Sequence, residues 1–232
     1  MTILCIETST SVCSAAICKD GVPAEQCICR EGSNHARLLP RYIEYLLHYA
    51  KNHNLTIDAV ALSEGPGSYT GLRIGTSTAK GLCYGMNVPL IPVPTLEVLC
   101  EAVQSKIENR KSKIVLIPMI DARRMEIYTM VDGETKAVVV ENEESLTSNS
   151  PKDGLTSNSE VVYYFGDGAA KCAKVFSKPN WHYIPDIVPE AQFMGALVER
   201  QMSKEKSIDL AYYEPFYLKE FIAAPSHIKG LK

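Results

Sequence analysis

The five histidines are the first residues to test as metal ligands, and their spacing does not fit a metal site. They are His35, His48, His53, His182 and His227. Two helical histidines share one ion when they are four residues apart, because both imidazoles then face the same side. No pair here has that spacing, and His48 and His53 would point about 140° apart on a helix. The sequence therefore predicts no metal site of this kind.

Serine and cysteine nucleophiles also lack a recognisable catalytic arrangement. There is no G-x-S-x-G pattern, and no Cys–His arrangement is visible by spacing. None of the eight cysteines forms a C-x-x-C pair, and Cys27 and Cys29 would lie about 7 Å apart on one strand face. We therefore expect free cysteines that act as small apolar residues in a reducing compartment.

Two acids close predicted strands and could contribute to a nucleotide site. Glu7 and Asp121 each end a strand, where a carboxylate can hold hydrated Mg²⁺ beside a nucleotide. Gly166 and Gly168 flank Asp167 in a loop that could face a phosphate or a ribose. The turns after the two acids, residues 8–10 and 122–124, contain no glycine that would let backbone amides approach phosphate. Glu7, Asp121, Gly166 and Gly168 are therefore candidates for cofactor binding without a complete phosphate loop.

The Gly-rich stretch 63–75 runs from a predicted strand through a Gly-Pro-Gly turn into a helix. It is neither a P-loop nor G-x-G-x-x-G, because no G-K-[ST] follows and the glycine spacing differs. Glycine inside a helix costs about 0.5–1 kcal/mol relative to alanine, so another backbone must approach it closely. That backbone belongs either to this chain's own sheet or helix 34–50, or to another subunit. The residues without bulky side chains recur every fourth position, at Gly67, Gly71, Gly75 and Ala79.

The elements that position these residues follow from hydrophobic periodicity and turn signals. Asp20-Gly21 predicts a hairpin, because both turn positions require positive φ. Ser33 or Asn34 is expected to cap the first helix, over 34–50, and a second helix covers 69–84. The predicted strands of this half are Ile3–Glu7, Val12–Cys18, Ala24–Cys29, Ala59–Ser63 and Leu90–Val93, and a third helix begins at Thr95.

The second half repeats this plan after a polar stretch at 106–113. An acid again closes the first strand, and Asp132-Gly133 is again a hairpin turn. A repeat of about 110 residues predicts a duplicated α/β domain. This is the plan of the actin-like ATPase superfamily (ribonuclease H-like), with two lobes that each have a mixed sheet flanked by helices. The predicted strands are Ile114–Asp121, Glu126–Val131, Ala137–Glu141 and Val161–Phe165, with a polar loop at 142–160 and helices from Ala169 and around Pro189–Met202.

Composition limits the partners and the compartment. The net charge is −3, so no overall positive field attracts nucleic acid. The longest apolar stretch, 114–120, is too short to cross a membrane. The N-terminus has no basic region before its first acid and does not resemble a signal peptide. We expect a cytoplasmic protein whose lobes are residues 1–108 and 109–232, with the tail packing back on the first lobe.

Five motifs together resemble the bacterial TsaB family, also called YeaZ. They are ILCIETST at 3–10, SEGPGSYTGLRIG at 63–75, IDARR at 120–124, FGDG at 165–168 and EPFYLK at 214–219. The resemblance spans nearly the whole chain and implies an actin-like fold. It also implies a role with TsaD, TsaE and TsaC in forming N6-threonylcarbamoyladenosine (t6A) beside the anticodon of tRNA. TsaB proteins are the non-catalytic paralogues of TsaD, so no activity of its own is expected.

The resemblance also implies a set of partners. These are TsaD in a heterodimer, TsaE in a larger complex and a homodimer in isolation, with tRNA contacted only indirectly. No cofactor is expected on the chain alone, and ATP or ADP would lie at the interface in the complex. The stretch 91–99, which corresponds to the H-x-x-x-H metal site of TsaD, contains no histidine. The alternatives are an independent actin-like ATPase or kinase, or a glycoprotease-type peptidase.

The partner interface is expected on the helices 34–50 and 69–84, beside the glycine strip. We expect that Gly75→Leu would abolish TsaD binding and leave the monomer folded. The candidate interface residues are Leu39, Ile43, Leu46, Pro66, Gly67, Ser68, Tyr69, Thr70, Gly71, Leu72, Arg73, Gly75 and Ala79.

Overall fold

The structure is a computed structural model that describes residues 1–32, 34–104, 106–107, 114–131, 133–146, 161–201 and 208–219. Five α-helices and eleven strands lie in these ranges. The helices are α1 (His35–Asn52), α2 (Tyr69–Met86), α3 (Thr95–Gln104), α4 (Ala169–Cys172) and α5 (Met194–Gln201). The strands are β1 (Thr2–Glu7), β2 (Cys13–Lys19), β3 (Val22–Cys29), β4 (Ala59–Gly65), β5 (Leu90–Pro94), β6 (Ile114–Pro118), β7 (Ile120–Asp121), β8 (Glu126–Val131), β9 (Glu134–Val139), β10 (Val161–Phe165) and β11 (Trp181–Ile184).

The first sheet has five strands in the order β3-β2-β1-β4-β5. The β1–β2 and β2–β3 pairs are antiparallel, whereas β4 is parallel to β1 and to β5. Asp20 and Gly21 join β2 to β3 with φ values of 51° and 77°. This confirms the predicted hairpin, in which both turn residues need positive φ.

Both faces of the first sheet are covered, which explains why residues 3–6 of β1 are all apolar. Leu4 and Ile6 of β1 face a core shared with α1 and α2. Ile3 and Cys5 point to the other face, where they join Met194, Leu197 and Val198 in and around α5. The central strand is therefore buried from Thr2 to Glu7.

The second half repeats the strand order of the first sheet, with one interruption. Met119 separates β6 from β7 in the stretch predicted as a single strand. β6 continues into a parallel sheet with β10 and β11, and β7 continues into an antiparallel sheet with β8 and β9. If β6 and β7 are taken as one interrupted strand, the order β9-β8-β7/β6-β10-β11 matches that of the first sheet.

The division of the chain in space differs from the expected boundary at residue 108. α5 comes late in the sequence but packs against the first sheet, because its apolar residues cover the face that α1 and α2 leave open. Leu210 and Tyr213 pack on the opposite face. We therefore call residues 1–94, 191–201 and 208–219 the first unit, and residues 114–187 the second unit. α3 joins the two, since Leu96, Leu99, Ala102 and Val103 share a core with Ile120, Phe165 and Ile187.

Other expectations require smaller corrections. The strand expected at 137–141 is β9, which begins three residues earlier and ends at Val139. The helix expected from Ala169 has a single turn, and β11 is an additional strand that the sequence does not predict. Asn34 precedes α1 but makes no side-chain capping bond. Ser33, Asp132, most of the polar stretch 106–113 and most of the loop 142–160 lie outside the described residues.

All eight cysteines are free, as predicted. Six of the positions lie on β1, β2, β3 or α2, and five of the eight side chains are buried in the cores. No helix in the described ranges is long and apolar enough to cross a bilayer.

Candidate functional site

The Gly-rich segment fixes the N-terminus of α2 against the turn that follows β1. Ser68 caps the helix, since its side chain accepts a hydrogen bond from the Gly71 amide. The Ser68 amide donates to the Ser9 carbonyl at 2.6 Å, and the Thr8 hydroxyl donates to the Gly71 carbonyl at 2.8 Å. Two segments far apart in sequence are thereby held together by hydrogen bonds.

The glycine strip provides the space for this contact. A Cβ at Gly67 would lie 2.2 Å from the Ser9 carbonyl oxygen, and one at Gly71 would lie 2.0 Å from that of Thr8. A Cβ at Gly75 would lie 2.3 Å from the Thr8 hydroxyl. These distances are shorter than van der Waals contact, so no side chain can be accommodated at the three positions.

The strip is therefore occupied by this chain's own backbone, which corrects the expectation that a partner approaches it. Ala79 is fully buried in the core with β1 and β4. The expectation that Gly75→Leu would leave the monomer folded is wrong, because the new side chain would overlap Thr8 and Leu62.

Several other candidate interface residues are also internal. One face of each helix packs on the first sheet, and these residues lie on those faces or in the turn before α2. They are Leu39, Ile43, Leu46, Pro66 and Leu72, all buried. Ser68, Thr70 and Arg73 are exposed, and Tyr69 and Gly67 are partly exposed. The accessible part of the predicted set is thus the N-terminal end of α2.

A groove of about 410 Å³ lies between the outer sides of α1 and α2. Its floor is largely apolar and its rim carries a carboxylate and an imidazole. Ile43 is the one lining residue that belongs to the predicted interface set. The signal for the others is the apolar stripe of α1, which is wide enough that part of it can stay uncovered. The groove is lined by Pro40, Ile43, Glu44, Leu47, His48 and Thr78.

A second, larger cavity of about 560 Å³ lies between the two units. Its walls come from the turn after β1, the start of α2, the end of β7 and the segment 217–219. Asp121 and Asp167 line it, and Asp167 accepts a hydrogen bond from the Asp121 amide at 2.9 Å. Burial raises the pKa of Asp167 above its usual value, and the charge of Asp121 adds to this effect.

The predicted acids do not present free charge to this cavity. Glu7 is fully buried, and its Oε1 accepts hydrogen bonds from the Ser9 amide at 2.6 Å and the Ser9 hydroxyl at 2.5 Å. Burial raises the pKa of Glu7, and the bonds from Ser9 oppose that shift. Asp121 forms an ion pair with Lys171. Across the described ranges, no three His, Cys, Asp or Glu side chains group as possible metal ligands.

Gly166 and Gly168 lie against the backbone between β6 and β7, much as Gly67 lies against the turn after β1. Gly166 has φ 107°, and a Cβ there would lie 2.2 Å from the Met119 carbonyl oxygen. The Gly168 amide donates to that same carbonyl at 3.0 Å. Both glycines therefore allow the chain to cross closely at Met119, and the Gly168 amide is bonded there.

Three backbone amides beside this cavity are bonded within the chain. Phosphate loops offer free backbone amides, as nests or helix N-termini do. Here the Ser9 amide is bonded to Glu7, the Ser68 amide to Ser9 and the Gly168 amide to Met119. Gly67 and Gly71 pack against Ser9 and Thr8 of the turn after β1.

Comparison with known proteins places these features in a family context. A family model described as "TsaD: tRNA N6-adenosine threonylcarbamoyltransferase" matches residues 30–150. The curated tRNA threonylcarbamoyladenosine biosynthesis protein TsaB of Haemophilus influenzae is 27% identical over 227 residues, covering 94% of each chain. The protein of the same name from Escherichia coli is 29% identical over 231 residues, covering 96% of each.

Solved structures share the fold at lower sequence identity. A Pseudomonas aeruginosa protein described as similar to peptidase YEAZ matches with a TM-score of 0.71 at 22% identity, covering 94% of this chain and 99% of that one. A structure titled YeaZ from Pseudomonas aeruginosa matches with a TM-score of 0.68 at 23% identity. At this identity, the likeness concerns the fold alone.

Proposed function

The chain belongs to the TsaB (YeaZ) proteins, which are related to TsaD, and we propose that it is a non-catalytic subunit that binds a TsaD-type transferase. Its role lies in the biosynthesis of threonylcarbamoyladenosine in tRNA, the pathway for which its TsaB relatives are named. The fold is interpreted as actin-like, with two lobes built around the two sheets. The tRNA modification is proposed to take place in the cytoplasm.

The groove between α1 and α2 is the observation that carries the docking proposal. Leu47 and Thr78 are only partly buried, and Pro40 is exposed, so apolar surface remains open along both helices. A specific interface buries on the order of 1,600 Å² in total, which requires the outer sides of both helices and not the groove alone. A TsaD-type partner is related in sequence over 30–150, so it is expected to offer a pair of helices of its own.

The same surface is proposed for the homodimer in isolation, and TsaE joins in a larger complex. Isologous contacts use one patch on both copies, so the homodimer and the TsaD heterodimer would exclude each other. With a net charge of −3, this chain contributes little to tRNA binding, which falls to the partner. Any ATP or ADP at the shared interface would be held by the partner's loops.

The residues at the cavity support the proposal that this chain has no catalytic activity of its own. The Ser9 and Gly168 amides are bonded within the chain, Glu7 is buried, and Asp121 is paired with Lys171. These contacts favour a structural role for residues that serve catalysis in nucleotide-dependent enzymes. No observation favours the ATPase, kinase or peptidase alternatives.

Leu47→Glu is the variant that tests the docking proposal. It places a charge on the floor of the groove at a half-buried position, where the partner's apolar side chains would have to desolvate it. We expect binding of the TsaD-type partner to weaken by about 30-fold or more, as at an interface hot spot. Isothermal titration calorimetry measures this, and a t6A assay that omits each component in turn measures the loss of modification.

Tyr45→Glu is the matched control, since it puts the same charge on an exposed position of the same helix outside the groove. It is expected to bind the partner within about twofold of the wild type, because exposed positions outside an interface are close to neutral. Equal affinities for the Leu47 and Tyr45 variants would exclude the groove as the docking surface.

A further inference from the structure

The segment 208–219, which we call the strap, runs along α2 in the opposite direction to the helix. Lys80 donates hydrogen bonds to the carbonyls of Ala211 at 2.9 Å and Tyr213 at 3.2 Å. Further along, the Phe216 amide donates to the Glu64 carbonyl at 2.8 Å. The strap thus passes from the middle of α2 to the end of β4 within a few residues.

The first part of the strap is anchored in the first unit. Leu210 and Tyr213 pack against the core beneath α1 and α2. Burial raises the pKa of the Tyr213 phenol well above its usual value. A Cβ at Gly65 would lie 2.6 Å from the Phe216 carbonyl oxygen, so the strap lies directly on the backbone there. Releasing this part would expose apolar surface and break backbone hydrogen bonds.

The last three residues of the strap, 217–219, which we call the latch, leave the first unit and reach the second. The Tyr217 ring lies 5.0 Å from the Tyr69 ring at the start of α2. Lys219 forms an ion pair with Glu126 at the start of β8. All three latch residues line the cavity between the units. The latch therefore crosses the cavity and connects its two walls.

The connection through α3 and the connection through the latch differ in strength. α3 shares a buried apolar core with Ile120 and Phe165 of the second unit. The latch relies on an ion pair whose side chains are 44% and 22% exposed, and such pairs contribute about 0–1 kcal/mol. At the cavity, the latch is therefore the connection that can open while the α3 core stays intact.

We propose that residues 217–219 form a latch that closes the cavity between the two units and opens it by breaking the Lys219–Glu126 pair while the rest of the strap stays in place. Opening gives solvent access to the turn after β1 and to the end of β7. The proposal concerns the isolated chain and does not depend on partner docking, so the two can fail separately.

Hydrogen–deuterium exchange of the full chain tests the latch with three variants, Lys219→Glu, Glu126→Lys and the double exchange. Each single reversal replaces attraction by repulsion, so amides in 8–12 and 120–123 are expected to exchange about fivefold faster. The double variant restores the pair and is expected to return exchange to the wild-type rate. Amides in β1 and β2, which report global unfolding, should not change.

Lys136→Glu is the matched control, because it reverses the charge of a lysine that pairs with Glu134 on the same strand, β9. Its exchange at 8–12 should equal that of the wild type. The proposal is overturned if the single reversals leave 8–12 and 120–123 unchanged, or if the double variant exchanges as fast as the single ones. It is also overturned if the Phe216 amide loses protection along with these segments, because the whole strap would then be leaving.

Discussion

Glycine at position 71 shows how one residue type determines where a helix can lie. The Thr8 carbonyl oxygen occupies the volume that a side chain at Gly71 would fill. In the same helix, a Cβ at Gly81 would meet no atom of another element within 4 Å. The two glycines therefore carry opposite consequences for stability, although their contribution to helix propensity is the same.

Gly71→Ala is expected to lower the free energy of unfolding by about 3 kcal/mol, because the new methyl group must displace a backbone carbonyl. Gly81→Ala is expected to raise it by about 0.5–1 kcal/mol through improved helix propensity. Urea unfolding followed by circular dichroism measures both. Similar effects at the two positions would mean that the contact between α2 and the turn after β1 is not tight.

Sequence reasoning at the residue scale identifies the correct positions but not their neighbours. The spacing of Gly67, Gly71 and Gly75 correctly indicates a close backbone approach. It cannot decide between this chain and a partner, because the approaching residues, Thr8 and Ser9, are about 60 positions away in sequence. Glu7 is recognisable as a strand-ending acid, yet its bonds from Ser9 and its full burial depend on α2 closing over the turn.

At the scale of elements, α1 carries both the proposed docking groove and an unfavourable residue. Pro40 lies in the interior of α1 and lines the groove. Proline lacks the amide that would bond to the carbonyl four residues earlier, at Ala36, and its ring crowds that carbonyl. Pro40 therefore destabilises α1, but it lies on the exposed side of the helix, where it adds rigid apolar surface to the groove.

Pro40→Ala is expected to raise the free energy of unfolding by about 1–3 kcal/mol, since it restores a helical hydrogen bond and removes the crowding. Thermal unfolding monitored by calorimetry measures the change. As a control, Ala36→Ser alters an exposed residue of the same helix without restoring that bond, and its melting temperature should not rise. A Pro40→Ala variant no more stable than the wild type would mean that α1 has already adjusted to the ring.

Long periodic elements are predictable from the sequence, and short ones are not. The apolar stripe of α1 and the Asp20-Gly21 turn each carry a local signal, and the structure follows both. β11 is four residues long and has mixed polarity, so its place depends on pairing with β10. The break at Met119 likewise depends on the Gly166 and Gly168 contacts from a distant loop.

At the scale of the whole molecule, the residues that follow the second unit in sequence pack against the first sheet. α5 covers one face of the first sheet and the strap covers part of the other, although both follow the second unit in sequence. Gly195 lies so close to β2 that a Cβ there would meet Cys18 at 2.6 Å. The first unit is thus completed by residues about 100 positions after its last strand.

A fragment of residues 1–107 is expected not to fold cooperatively. It lacks Met194, Leu197 and Val198, whose burial contributes about 5–9 kcal/mol at 1.5–3 kcal/mol for each side chain. That is comparable with the whole stability of a typical domain, about 5–15 kcal/mol. Thermal circular dichroism of this fragment should show no cooperative transition, whereas residues 1–219 should show one. A sharp transition in the short fragment would contradict this assignment of the core.

The late return of α5 and the strap has a consequence for protein synthesis. While the ribosome is still translating the second unit, the first sheet is uncovered on one side, and α2 has no strap beside it. A nascent chain therefore has to protect Ile3, Cys5 and Cys18 from aggregation until residues 194–198 emerge.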